Sequence, residues 1–345
     1  MNRNRNKFFY AVDILMFLLF ALFPIFGSIL RITMMGRILC FIILAYSLDL
    51  VWGYGGLINM GQGVFFGIGA YVAAISLVSR EGVPMYMSNL GIKELPGYVK
   101  FLDSNVTYSI MALALPALLA GIVGCFIFSS KIKGIFFSLI TMTMVKVFEL
   151  AIQAAQSVTG GFNGIGGIPK LYFDGESLNI KQMYYVVLAF AVLAYLFCRY
   201  LTNSKFGKII RATKDNEQRV NFLGYNSANF KIILFMISGM LAGLAGMLYA
   251  PMNGMVSSTD VGLDFSTTLM VALAVGGRGN LTGAALGTVI VYFGKSYLSE
   301  LFPNVWQLIL GVVLILIVFF MPEGIIGKAA GFVNGRKSRK GAESV

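Results

Sequence analysis

Residues 205–231 read KFGKIIRATKDNEQRVNFLGYNSANFK, a charged island set between two apolar runs at 183–201 and 232–250. The island carries Lys205, Lys208, Arg211, Lys214, Arg219 and Lys231 against only Asp215 and Glu217. Basic loops are retained on the cytoplasmic side of a bilayer. The contrast therefore reads as a helical membrane protein with one substantial cytoplasmic segment between two crossings. A segment of this size is useful mainly when something in the cytoplasm pushes on it, which points to a transporter core driven by a separate motor subunit.

Working outward, 57% of the 345 residues are hydrophobic and only 12% are charged. Soluble domains carry about 25% charged residues. Apolar runs fall at 12–30, 38–59, 63–78, 109–129, 134–154, 183–201, 232–250, 265–276, 281–298 and 305–321. Most are near the ~20 residues that a helix needs to cross the hydrocarbon core, and the short runs at 63–78 and 265–276 suit segments that cross only partly, inside protein. The alternating short segments of a β-barrel are absent. The predicted fold is all-α, a polytopic integral membrane protein with about ten transmembrane or partly re-entrant helices. The basic start and first apolar run lack a small-residue cleavage site, so they read as a retained first helix.

Charge supports this topology. With a cytoplasmic N-terminus, the inner segments hold Arg3, Arg5, Lys7, Lys131, Lys133, Lys205, Lys208, Arg211, Lys214, Arg219, Arg278, Lys328, Arg336, Lys337, Arg339 and Lys340. The outer loops hold Arg31, Arg37, Arg80, Lys93, Lys100, Lys170 and Lys181. The excess is inside, as the loop rule requires, although Arg31 and Arg37 fit the first two spans poorly. Both termini are thus expected in the cytoplasm. The net charge of +12 is explained by topology, so no nucleic-acid partner is expected.

The composition also excludes chemistries. The chain has no histidine, which removes Ser-His-Asp and Cys-His catalysis and most zinc sites. Cys40, Cys125 and Cys198 lie far apart inside apolar runs and read as packing residues. No G-x-x-x-x-G-K-[ST] phosphate loop is present, so ATP would be hydrolysed on other subunits. No catalytic constellation, metal site or cofactor motif is visible, and an enzyme is not expected. More than two residues from a run's end, the ionisable residues are few, namely Asp49, Lys146, Glu149 and Lys295. Lys146 and Glu149 are spaced to pair on one helix face. The scarcity of carboxylates disfavours a proton-coupled pump and a strongly charged solute.

Glycine carries the remaining signal. GYGGLINMGQG at 53–63 and VGGRGNLTGAALG at 275–287 are both glycine-rich and both sit at a predicted inner end. Glycine lets helices approach closely or unwind, freeing backbone groups for a small polar solute. Close packing alone is the other reading. Broken segments in matching halves often mark a transport path. The candidate path residues are Gly53, Tyr54, Asn59, Gln62, Gly63, Gly276, Gly277 and Asn280. The outer stretch TGGFNGIGGIP at 159–169 suits either a loop that closes over a pore mouth or a flexible connection. Within the island, Phe206, Ile209, Ile210 and Thr213 share one helix face, fitting a partner's cleft or a lipid surface.

Several of these motifs resemble, in order, the permeases of branched-chain amino-acid and urea ABC importers. GYGGLINMGQGVFFGIGAY resembles that family's glycine signature, with Asn59 and Gln62 where the family usually has Ser and His. RATKDNEQRVNFLGYNSANFK is similar to its cytoplasmic loop, with Arg211, Asp215, Glu217, Arg219, Gly224 and Tyr225 matching. FMISGMLAGLAGMLYAP, GGRGNLTGAALG and TGGFNGIGGIP resemble further blocks, and the resemblance spans about 53–327. It implies a permease domain at 1–327, an ATPase-coupling segment at 202–230 and a basic cytoplasmic tail at 328–345. It also implies a bacterial inner-membrane location, a second homologous permease subunit, two ATP-binding subunits and an extracytoplasmic solute-binding protein. RVNFLGYN, GGRGNLTGA and KSYLSELFPNVWQLILG followed by MPEGIIG resemble the urea branch. Urea, or a short amide, is therefore the expected cargo, with branched-chain amino acids as the alternative. An autonomous channel for a small neutral solute and a secondary transporter are the rivals from other classes.

Overall fold

The computed structural model describes residues 3–303 apart from 131, 133, 174 and 175, with scattered further positions as far as 324. The tail at 328–345 and most of the predicted last span at 305–321 lie outside the described residues. The chain is an all-α polytopic membrane protein. Its long helices are α1 (Arg3–Phe26), α2 (Ile29–Asp49), α3 (Gln62–Ser79), α4 (Asn105–Ser129), α5 (Ile135–Ala154) and α6 (Ile180–Asn203). The island forms α7 (Lys205–Asp215) and α8 (Glu217–Phe222), and α9 (Ser227–Asn253), α10 (Leu263–Gly276) and α11 (Leu281–Leu301) follow. Among the described residues, seven helices are long and apolar enough to cross a membrane. The run in α1 is shorter, at Val12–Phe26.

The first turn corrects the sequence reading. The chain breaks at Gly27 and Ser28, and α2 begins at Ile29. Arg31 and Arg37 therefore lie within the first turns of a helix rather than in a loop, which is why they fitted the loop count poorly.

Helix α9 is the axis of the bundle and packs on α2, α3 and α4. Its glycines make this crossing a backbone-to-backbone contact. A Cβ on Gly246 would collide with the Phe66 carbonyl of α3, and one on Gly243 with the Ala112 carbonyl of α4. Beside this crossing, Phe65 meets Phe235 edge-on at 5.3 Å and Phe128 stacks on Phe137 at 5.6 Å. Rigid backbone cannot yield as a side chain can, so Gly246→Val is expected to cost about 3 kcal/mol, the upper end for overpacking. A lower thermal midpoint of the purified protein in detergent will register it; an unchanged midpoint would refute the close crossing.

Around this core, α4, α5 and α6 turn Leu118, Ile122, Phe126, Leu139, Leu150 and Leu193 outward. Such faces are stable only against lipid or another subunit. Some charges inside the bundle are paired. Asp13 of α1 is 3% exposed. It takes an ion pair from Arg199 of α6 at 2.9 Å, a hydrogen bond from Thr282 of α11 at 2.5 Å and another from the Tyr195 hydroxyl. An unpaired carboxylate there would cost several kcal/mol, so the cluster fixes α1 against α6 and α11. Lys146 and Glu149 pair at 2.9 Å.

The bundle has two ends. One carries the island and the 277–280 turn; the other carries the connections that follow α3, α5 and α9. At this far end the 159–169 stretch is neither a free lid nor a loose connection. Strand β1 (Ile165–Gly166) pairs antiparallel with β4 (Met255–Val256), placing Ile165 opposite Val256. A second pair, β2 (Tyr172–Phe173) with β3 (Glu176–Ser177), follows it. The Thr159 hydroxyl donates to the Ile152 carbonyl at 2.6 Å, and the Ile168 N–H donates to the Gly254 carbonyl at 3.0 Å. The stretch is a clasp between two far-end connections.

Candidate functional site

At the island end, helix α2 does not stop cleanly. It runs into a π-helical turn at Leu50–Tyr54, a wider geometry that occurs mostly as single turns and frequently at functional positions. Gly53 sits in this turn. Its carbonyl accepts a hydrogen bond from the Lys214 ammonium of α7 at 2.7 Å. One residue on, Tyr54 lies under the Arg211 guanidinium at 4.9 Å. Arg211 also donates to the Thr202 carbonyl at 3.0 Å, which holds it in place. Two α7 cations, one turn apart on the helix, thus grip the end of α2.

The same turn is tied to the second glycine-rich stretch. Asp49 is fully buried, and its Oδ1 accepts the Gly279 N–H at 2.7 Å. Its other oxygen has no protein partner among the described residues. A Cβ on Gly53 would collide with Asp49 Oδ1 and the Gly279 nitrogen, so glycine is required for this approach. The Arg278 guanidinium covers Trp52 at 5.1 Å. The two glycine-rich stretches and the island, separate in the chain, therefore meet at one junction.

Among the expected path residues, several are committed to the fold. Asn59 and Gln62 are each 1% exposed. Gln62 accepts from Asn59 at 2.6 Å and donates to the hydroxyls of Ser47 at 2.6 Å and Ser238 at 3.0 Å. With the Asn59 carbonyl oxygen accepting from the Gly61 N–H at 2.8 Å, this buried network staples α2, α3 and α9. Gly63 meets the Val261 carbonyl, and Gly276 packs on Gly283 of α11. Gly277 makes the turn between α10 and α11 at φ 110°. Asn280 caps α11, accepting the Thr282 N–H at 3.2 Å. Gly276, Gly277 and Asn280 pack and cap the α10–α11 turn at the island end, while Gly63 lies against the 254–262 connection.

The residues expected to couple to an ATPase divide in the same way. Ser204 caps α7 and Asn216 caps α8, through the Gly207 and Arg219 N–H groups. On α7 the buried side consists of Gly207, Ile210 and Thr213, while Asp215 is exposed. Glu217 turns inward, pairing with Lys231 of α9 at 2.7 Å and accepting from Ser227 at 3.0 Å. Gly224, at φ 86°, lets the chain double back from α8 to α9. Arg219 is exposed, and Tyr225 is half exposed against the Phe230 ring at 6.1 Å. Between them, Phe222 is 90% and Leu223 71% exposed. This apolar knob at the tip of the island escaped the sequence reading, which weighed its charges; two adjacent large apolar residues in a polar loop were the available signal.

A concavity opens at the far end, between α2, α9, α10 and α11. It is about 260 Å³ in volume and is lined by Arg37, Phe41, Asp260, Phe265, Tyr292 and Lys295 among others. The sequence reading had Arg37 as a loop charge, Lys295 as an isolated intramembrane cation and no role for Asp260.

Comparison with known proteins places these features in a family. Residues 29–318 match the family described as branched-chain amino acid transport system / permease component. The chain is 26% identical over 311 residues to the probable branched-chain amino acid transport permease protein LivM of Methanocaldococcus jannaschii, covering 82% of this chain and 89% of that protein. It is 24% identical over 311 residues to the high-affinity branched-chain amino acid transport system permease protein LivM of Escherichia coli K12, covering 83% and 67%. The ribose import permease protein RbsC of Haemophilus influenzae is 22% identical over 273 residues, covering 74% and 83%. No solved structure matches.

Proposed function

This chain belongs to the family of permease components of branched-chain amino acid transport systems, and from that premise we propose that it is the membrane-spanning subunit of an ATP-driven importer for hydrophobic amino acids. ATPase subunits would dock on the island, a second permease would complete the membrane part, and an extracytoplasmic binding protein would deliver cargo at the far end. The observation that carries the mechanical part is the Lys214–Gly53 hydrogen bond of 2.7 Å. It links the segment on which an ATPase would push directly to the π turn that ends α2. Displacing α7 would pull on this turn and, through Asp49, on the 277–280 turn. Closure and opening of the island end would then follow the ATPase cycle.

The choice of cargo reverses the urea expectation. That expectation rested on motifs resembling the urea branch, with the scarcity of charge within the spans in support; yet Asp13 and Arg199 pair inside the bundle, and Arg37, Asp260 and Lys295 line one cleft. The relatives named above carry branched-chain amino acids or ribose in their names, and none carries urea. The test is uptake by proteoliposomes that contain this chain with its cognate permease, ATPase and binding subunits. ATP-dependent accumulation of labelled leucine, undiminished by excess urea, is expected. Accumulation of urea without leucine would overturn the reading, and uptake by this chain alone without ATP would replace it with a channel.

A further inference from the structure

We propose that the far-end cleft between α2, α9, α10 and α11 is a binding site for a zwitterionic α-amino acid. The inference rests on the amino-acid reading above and names the groups that would hold the cargo within the membrane subunit. Arg37 and Lys295 take its carboxylate, Asp260 takes its ammonium, and an aromatic floor takes its side chain.

The floor is built first. Phe41 stacks on Tyr292 with ring centroids 4.3 Å apart and meets Phe265 edge-on at 5.5 Å. Phe41, Phe265 and Tyr292 are all less than a tenth exposed. They come from α2, α10 and α11, so three helices present one apolar surface at the base of the cleft. At about 260 Å³ the space lies below the roughly 300–1,000 Å³ of pockets for drug-sized ligands. It suits a single small metabolite rather than a peptide.

Charge of both signs rims this floor. Asp260 is held in position, with Oδ1 accepting from the Tyr249 hydroxyl at 3.1 Å and Oδ2 accepting from the Ser257 N–H at 2.9 Å. Arg37 donates one hydrogen bond, to Asn253 Oδ1 at 3.2 Å, which leaves most of its fork free. Lys295 rests its ammonium over the Trp306 ring at 4.7 Å. Among the described residues none of these three charges is within ion-pair distance of an opposite charge, although the Asp264 and Asp260 carboxylates both act on Lys295 through space. The Tyr292 hydroxyl, on a side chain 8% exposed, also has no partner among the described residues. Long cations at helix ends commonly reach for water. That habit explains neither a fixed carboxylate facing them nor an unsatisfied buried hydroxyl beside an apolar floor. A neutral solute such as urea could hydrogen-bond to these groups but would neutralise neither charge and leave the apolar floor unused, whereas an α-amino acid neutralises both and presents its apolar side chain between them.

The assembled transporter in nanodiscs, without the binding protein, is titrated with labelled L-leucine and competed with isopentylamine, which lacks the carboxylate, and 4-methylpentanoate, which lacks the ammonium. Charged hydrogen bonds are worth enough that each truncated probe should compete at least about tenfold more weakly than leucine. Arg37→Gln should bring leucine down to the level of isopentylamine, and Asp260→Asn should bring it down to that of 4-methylpentanoate. Either probe competing with the wild type as well as leucine does would overturn the site. So would variants that keep the wild-type ranking, or leucine uptake with no leucine bound in this assay. A variant that does not assemble leaves the ranking on the wild type as the deciding measurement. Failure of the wild type to take up leucine in proteoliposomes would instead count against the amino-acid reading itself.

Discussion

Replacing Phe222 and Leu223 together by aspartate is expected to detach the ATPase subunits and abolish uptake, while the permease itself remains folded. Both side chains stand in solvent, at 90% and 71% exposure, at the tip of the island between α8 and α9. Among the described residues neither belongs to the core, and exposed substitutions generally change stability little. Seated in a partner's cleft, each would contribute about 1.5–3 kcal/mol. Losing both would weaken assembly by roughly two to four orders of magnitude. Copurification and titration of the ATPase subunits against the variant will measure this. Unchanged affinity would move the docking surface to the charged face of α7, leaving the knob as an incidental exposure.

Gly53→Val should leave the complex assembled and still able to hydrolyse ATP, but almost unable to transport. A side chain at this position collides with Asp49 Oδ1 and the Gly279 nitrogen, forcing apart the π turn and the 277–280 turn. Overpacking of this kind costs about 1–3 kcal/mol. If that cost falls on the closed state of the junction, the balance of open and closed forms shifts by roughly one to two orders of magnitude. Uptake and ATP hydrolysis measured side by side will separate this from failed assembly. Normal uptake would mean that the junction is a fixed support and that the gate lies elsewhere.

How far the site was legible depended on the kind of residue. The island was visible because charge between apolar runs has one cheap explanation in a bilayer. The glycine-rich stretches were also visible, but their use was not. Asn59 and Gln62 read as polar contacts for a solute. In the structure they bond to each other and to Ser47 and Ser238, because a buried amide must be satisfied by something and neighbouring helices supply it. Glu217 read as a contact for the ATPase but turns inward to Lys231. Asp13 and Arg199 drew no attention, each resembling a stray charge at the end of a span. Their pairing across α1 and α6 is a relation between distant positions that no local pattern encodes.

The sequence by itself determined that the chain is a bundle of membrane helices with a basic segment kept on one side. Hydrophobic transfer and the charge rule act residue by residue along the chain, so they can be summed without knowing who touches whom. Only the tertiary structure decided that Lys214 reaches Gly53, that Asp49 reaches Gly279, and that Arg37, Asp260 and Lys295 surround one aromatic floor. Those facts depend on which helices cross and at what depth. The crossings are set by backbone contacts at glycines such as Gly243 and Gly246, where a fraction of an ångström decides which side chains can meet.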